Sequence, residues 1–165
     1  MEKPKGLKFF VADMMEADLE EAVELEETTG LSRWGYEGYH WDLHYNPMAI
    51  MLVARGDEPG AMMRRILGFI VGRVVPSPVE DYDELHINNI ATHPDFRRFG
   101  VGWALMEEAM SRGRIYGAKS VRLEVRASNT AAQLLYYQLG FQAVTRRRNY
   151  YYGPTEDAVV MERWL

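Results

Sequence analysis

The stretch with the clearest chemical capacity runs from Arg97 to Trp103. Here Arg97-x-x-Gly100-x-Gly102 places an arginine and two glycines at the head of an apolar helical pattern. Glycine lets a backbone come close to a ligand and lets successive N–H groups turn the same way. The first N–H groups of the following helix lack acceptors and carry the positive end of its dipole. Together these features suit an anion, best a phosphate or pyrophosphate. Two familiar phosphate cradles do not fit. No Gly-Lys-Ser/Thr follows, as a P-loop requires, and the third glycine and early βαβ position of the dinucleotide fingerprint are missing.

Other residue groups offer less. Glu80, Asp81, Asp83 and Glu84 form an acidic connection, read either as a solvated loop or as a rim for a cationic substrate. His40 and His44 are four apart and could share a helix face, but no third ligand is evident nearby in sequence, so a solvated or core pair is expected and no metal. The run Arg146-Arg147-Arg148 is expected in an extended segment, where alternation sends its members to opposite faces.

These residues need elements to position them. Leu7 to Ala12 reads as a first strand, and Asp13 can cap a helix carrying Leu19, Ala22, Val23 and Leu25 that ends at Gly30. The glutamates of that helix (Glu16, Glu20, Glu21, Glu24, Glu26, Glu27) are read as its solvated face. Leu31 to Tyr45 is rich in aromatics with Gly35 and Gly38 between them, which fits a packed loop-plus-helix or a recognition surface. Ala49–Ala54 and Ile66–Val75 read as a hairpin around a turn at Gly56-Asp57-Glu58-Pro59-Gly60. A strand through Leu85, Ile87 and Ile90 leads into the glycine loop, and the helix after it buries Val101, Leu105 and Ala109, with Met106 and Met110 beside them, and closes at Gly117. Ser120–Ser128 alternates strictly: Val121, Leu123, Val125 and Ala127 face one way, Arg122, Glu124, Arg126 and Ser128 the other. Asn129 caps a helix with Ala131, Leu134, Leu135 and Leu139 on its apolar side. Phe141–Thr145 and Ala158–Met161 read as two last strands. The order predicts an α/β (α+β) sandwich, with a mixed, mostly antiparallel sheet of about seven strands and about four helices, not a doubly wound fold.

The second half carries a specific resemblance. Arg97-x-x-Gly100-x-Gly102 is similar to the pyrophosphate loop of the GNAT superfamily of N-acetyltransferases. Asn129, Ala132, Leu135, Tyr136, Leu139, Gly140 and Phe141 match its pattern Asn-x-x-Ala-x-x-Leu-Tyr-x-x-Leu-Gly-Phe. With Leu123-Glu124-Val125-Arg126, Arg147-Arg148-Asn149-Tyr150-Tyr151 and Glu156 to Met161, the chain resembles the RimI subfamily, which acetylates the N-terminus of ribosomal protein S18 and related N-termini. The resemblance is dense from Glu84 onward and looser before it.

The resemblance implies a single acetyltransferase domain over 1–165 and acetyl-CoA as cosubstrate. It implies that the main chain of Ile90, Ala91 and Thr92 pairs with the pantetheine arm, and that Arg97, Arg98, Phe99, Gly100, Val101, Gly102 and Trp103 cradle the pyrophosphate. Trp103 stands where relatives often carry a polar or basic residue, so only the backbone cradle is carried over there. Asn129 would hydrogen-bond the coenzyme, Glu124 would be the general base, and Tyr136 the general acid that also touches the coenzyme. The chemistry is consistent with those types: a protonated amine must lose a proton, and a departing thiolate must be stabilised. Trp34 and Tyr36, with Tyr150 and Tyr151, are expected to form two walls of a peptide groove. Alternatives on the same residues are acetylation of a lysine or small amine, and a non-catalytic acyl-CoA-binding module.

Bulk properties set the outer limits. The chain has 165 residues, enough for one sizeable core, and its 47% hydrophobic and 26% charged composition is that of a globular protein. A net charge of −5 argues against a nucleic-acid surface. No cysteine is present, so there is no disulfide framework and no thiolate nucleophile, which fits direct transfer without an acyl-enzyme. Met1 to Gly6 is followed by no apolar run suited to a signal peptide or membrane span, so a cytoplasmic setting is expected, with no membrane partner and an undetermined oligomeric state.

Overall fold

The structure, a computed structural model, describes residues 6–31, 33–56 and 66–165. Most of the hairpin turn expected at 56–60, and the segment ahead of Gly6, lie outside the described residues. The elements run β1 (Phe9–Asp13), α1 (Leu19–Thr28), α2 (Gly35–Tyr45), β2 (Ala49–Gly56), β3 (Ile66–Pro76), β4 (Asp83–Thr92), α3 (Val101–Ile115), β5 (Ser120–Arg126), α4 (Thr130–Gln138), β6 (Gln142–Tyr151) and β7 (Glu156–Trp164), with short 3-10 turns at Glu16–Asp18 and Pro94–Phe96. The sheet order is β1-β2-β3-β4-β5-β7-β6. β1 with β2, β5 with β7, and β6 with β7 are antiparallel, while β4 and β5 are parallel. A parallel neighbour requires a crossover, and α3 supplies it. The β4–β5 ladder runs from Glu84↔Ser120 to Ile87↔Leu123, whereas β4 itself extends to Thr92 and β5 to Arg126.

The chain divides into two compact units, Met1–Val71 with Asn89–Ala109 and Gly72–Asn88 with Met110–Leu165. In the first, α1, α2 and strands β2 and β3 share a core that includes Leu19, Ala22, Leu25, Tyr39, Val53 and Phe69. Asp13 does not cap α1; it is the last residue of β1. Asp18 stands at the N-cap position of α1 without a side-chain cap bond to the helix; its carboxylate instead accepts the Met15 N–H at 2.8 Å and grips Arg55 through two bonds, Nη1–Oδ1 at 2.8 Å and Nη2–Oδ2 at 2.6 Å. The glutamates of α1 are not all solvated. Glu26 is 1% exposed, and its carboxylate accepts hydrogen bonds from the Gly35 N–H, the Tyr39 hydroxyl and the Asn89 amide. A buried carboxylate persists when its oxygens are satisfied in this way. The aromatic segment divides by face along α2: Tyr39 is buried, with Trp34 packed on it, whereas Tyr36, Trp41 and Tyr45 are exposed. The packed-helix reading thus describes the inner face, and the outer face is solvent-exposed.

In the second unit, β5 follows the expected alternation, burying Val121, Leu123 and Val125 and turning Arg122, Glu124 and Arg126 to the other side. It ends at Arg126, so Ala127 and Ser128 belong to the turn. Gly117 closes α3 at φ +91°, with the Ala118 N–H donating to the Gly113 carbonyl. The Asn129 side chain caps α4 by accepting the Ala132 N–H at 3.1 Å. The buried face of α4 differs from the expected one. Tyr136 and Leu139 are inside, while Ala131 and Leu134 are exposed. β6 and β7 are longer than the apolar runs that betrayed them, because β6 is an exposed edge strand of polar and arginine residues with no apolar alternation to read. Of the acidic connection, Glu84 is buried on β4 with Arg122 Nε 3.7 Å from its carboxylate, so neither a solvated loop nor a rim describes it.

Candidate active site

In the first unit, β4 delivers Ile90, Ala91 and Thr92 to the loop that precedes α3. The His93 N–H donates to the Leu67 carbonyl at 2.8 Å, tying the strand's end to β3. The backbone at Arg98 and Gly100 is left-handed, at φ +69° and +86°. That conformation is easy for glycine and turns neighbouring N–H groups toward a common point. Helix α3 begins at Val101, and its first ladder bond runs from the Ala104 N–H to the Gly100 carbonyl. The N–H groups of Val101, Gly102 and Trp103 therefore precede the helix's own acceptors, as an anion cradle requires. Val101 is buried, while Arg97, Arg98, Phe99 and Trp103 are exposed around the loop, and Arg97 Nε lies 3.5 Å from the Thr92 carbonyl. Trp34 and Tyr36 also belong to this unit, at the start of α2.

Gly68 of β3 permits this arrangement. A Cβ there would sit 2.6 Å from the Ala91 carbonyl oxygen and 3.3 Å from Thr92 Cα. Neither backbone atom can yield without moving the end of β4. Gly68→Ala is expected to destabilise the fold by about 1–3 kcal/mol and to weaken binding of coenzyme A more than it lowers kcat, measured by thermal melts and by coenzyme titration.

The second unit holds the titratable cluster. Glu124 Oε2 lies 2.7 Å from His86 Nε2, and Glu124 Oε1 lies 3.7 Å from Arg147 on β6. The Glu124 side chain is 8% exposed. Burial pushes its carboxyl up, but the His86 hydrogen bond and the charges of His86, Arg147 and Arg122 together outweigh that, and it titrates below its ordinary value. Tyr136 is 5% exposed, its ring 5.8 Å from Phe141, and burial pushes its hydroxyl well above the usual phenol range. Tyr150 and Tyr151 meet edge to face at 5.0 Å, with Arg126 over the Tyr151 ring at 4.4 Å and Arg147 over Tyr150 at 5.8 Å. Both tyrosines are raised, first by burial and then by neighbouring charge; Glu124 acts on both, and Tyr136 on Tyr151. Glu124, Tyr136, Tyr150 and Tyr151 thus share one electrostatic neighbourhood.

Asn129 stands at the head of α4 with its side-chain oxygen engaged as the helix cap. His86 carries more than its sequence position suggested. It shares a face of β4 with Glu84, opposite Arg122 in the parallel ladder, and reaches Glu124 two residues further along β5. The parity of a lone histidine between Leu85 and Ile87 was the signal available; the register that meets Glu124 was not. Two of the three consecutive arginines go to separate carboxylates, Arg146 to Asp157 at 2.9 Å and Arg147 to Glu124 at 3.7 Å.

Comparison with known proteins gives the family. The acetyltransferase (GNAT) family model matches residues 11–141. The ribosomal protein bS18-alanine N-acetyltransferase of Salmonella typhimurium strain LT2 is 44% identical over 101 residues, which cover 59% of this chain and 63% of that protein. The match thus spans less than two thirds of that relative's length. The N-alpha-acetyltransferase of Sulfurisphaera tokodaii is 30% identical over 97% of this chain and 95% of its own. The crystal structure of the ribosomal-protein-S18-alanine N-acetyltransferase from Escherichia coli aligns with a TM-score of 0.75 at 28% identity, covering 94% of this chain and 93% of that one. With the family match extending over most of its length, this chain belongs to the acetyltransferase (GNAT) family.

Proposed function

We propose that the protein is an acetyl-CoA-dependent N-acetyltransferase that acts on the free α-amine of a protein N-terminus, in the manner its bS18-alanine N-acetyltransferase relatives are named for. The observation that carries this reading is the cluster of Glu124, held ionised, with Tyr136, held protonated, and the edge-to-face pair Tyr150 and Tyr151. Residues 1–165 are proposed to work as one catalytic domain, in the cytoplasm. The acceptor proposed within this class is a ribosomal protein N-terminus beginning with alanine.

The chain's own features fit the cosubstrate. The loop offers N–H groups ahead of the first helical bond for a pyrophosphate, and among the described residues Asn88 Oδ1 on β4 is buried with no hydrogen-bond partner. Acetyl-CoA supplies an activated thioester, whose carbonyl carbon is attacked by the amine and whose sulfur departs with the electron pair. Ile90, Ala91 and Thr92 would hold the pantetheine arm by main-chain hydrogen bonds. Glu124 takes the proton that the α-ammonium must lose, directly or through water. An α-amine titrates at about 7.7–8.0 and a lysine at about 10.4, so a carboxylate base meets a far larger neutral fraction of the former at neutral pH. Tyr136 donates its hydroxyl hydrogen toward the departing sulfur. Tyr150 and Tyr151 lie close enough to the base to feel its charge and are proposed to hold the first residues of the peptide; Trp34 and Tyr36 are proposed as further peptide contacts.

Tyr151→Ala tests the acceptor class. Turnover of a peptide with a free N-terminus is expected to fall about tenfold or more through KM, with coenzyme binding unchanged. A small amine turned over as well as before, with the peptide equally unaffected, would contradict a peptide groove and favour the small-amine alternative.

A further inference from the structure

A separate set of side chains converges in the first unit. His40 and His44 leave the same face of α2, one turn apart, with ring centroids 4.5 Å from each other. Glu16 comes to them from a different element, the 3-10 turn ahead of α1. Its Oε1 lies 3.5 Å from His40 Nε2 and its Oε2 lies 3.7 Å from His44 Nε2. One donor atom from each residue lies within 4.8 Å of the other two.

Two readings compete, and the distances separate them. An ion-pair cluster would bring N–H···O contacts to about 2.7–3.2 Å. Both imidazoles instead aim Nε2 at the carboxylate from beyond that range. Ligands of a tetrahedral zinc ion, each about 2.0–2.2 Å from the metal, stand roughly 3.4 Å from one another. The two Glu16–histidine spacings, one to each carboxylate oxygen, are within a few tenths of an ångström of that separation. Two imidazoles and a carboxylate are a donor set for zinc, nickel or copper; magnesium and calcium demand oxygen ligands.

We propose that Glu16, His40 and His44 form a binding site for a divalent first-row transition ion, zinc being the best match, with three protein ligands and a further position open to solvent. The side chains are 59%, 36% and 39% exposed respectively, so an ion enters without any opening of the fold. Tyr36 stacks on the His40 ring at 5.9 Å and Tyr45 lies 6.2 Å from the His44 ring, giving each imidazole an aromatic neighbour that limits its rotation. The ion joins the turn ahead of α1 to α2, the helix whose outer face carries Tyr36, Trp41 and Tyr45. The sequence concealed the site because its third ligand lies 24 residues before His40, in a segment read as the solvated acidic face of α1.

The test is calorimetric titration of zinc chloride into the full, tag-free chain at neutral pH, beside a thermal melt with and without zinc. The expected result is saturable binding of one ion per chain in the micromolar range and a raised melting temperature. His40→Ala, His44→Ala and Glu16→Ala should each weaken binding about tenfold or more, and His93→Ala should not. Circular dichroism confirms that each variant is folded, and Glu16→Gln, a milder change at an exposed turn, serves if an alanine variant is not. No saturable binding by the wild type, or binding that survives all three ligand changes, overturns the site.

Discussion

Glu124→Gln is expected to lower kcat on a peptide α-amine by about 10²–10³-fold while leaving the binding of coenzyme A nearly unchanged. The substitution keeps the size of the side chain and a possible contact with His86, 2.7 Å away in the wild type. What it removes is the negative charge and the capacity to accept a proton. The sign of the pH dependence follows from the same environment. His86, Arg147 and Arg122 hold the carboxyl below its ordinary value of 4.5 against the opposing effect of burial. Glu124 is therefore ionised at neutral pH. The rise of kcat/KM from acid to neutral pH should track the substrate amine, at about 7.7–8.0, and not a carboxylate. A Glu124→Gln enzyme that retains wild-type kcat would transfer the role of base to another group, with His86 the first to examine.

Tyr136→Phe is expected to lower kcat about 10–100-fold with little change in melting temperature. The ring fills its place against Phe141 in either case, so the packing is preserved and only the hydroxyl is lost. Burial raises that hydroxyl far enough for it to stay protonated throughout the physiological range. A thiolate leaving group, near 8.5 for a simple thiol, thus meets a hydrogen-bond donor at every working pH. Activity should show no alkaline loss attributable to Tyr136 below about pH 10. Tyr137→Phe, on the exposed side of α4, is the control and should leave kcat unchanged.

Local rules made much of the scaffold legible. Alternation from Ser120 placed Glu124 on the face opposite the core, the Asn129 cap located α4, and Gly117 marked the end of α3. What escaped depended on partners distant in sequence. Glu26 was grouped with five solvated glutamates, yet its carboxylate is held by Tyr39 and Asn89, 13 and 63 residues away. Its spacing from Leu19 and Ala22 lay on the buried stripe of α1, so the helical period held a hint that charge obscured. His86 meets Glu124 through a parallel register, and such a register is fixed by the crossover between the strands, not by either strand's own pattern. On α4, two overlapping apolar stripes were available, and the one containing Tyr136 is buried while Leu134 faces outward. An edge strand such as β6, exposed along nearly its whole length, offers no periodic burial signal of its own.

The central claim is direct transfer of an acetyl group to a protein α-amine, and one competition measures it. Two peptides of matched length are mixed in equal amounts with isotopically labelled acetyl-CoA and the enzyme. One has a free N-terminal alanine and no lysine; the other is blocked at its N-terminus and contains lysine. Fragment mass spectra then locate the label. The account predicts label on the α-nitrogen of the first peptide alone, lost in Glu124→Gln. Label on the lysine of the second peptide, with the free N-terminus untouched, would contradict it.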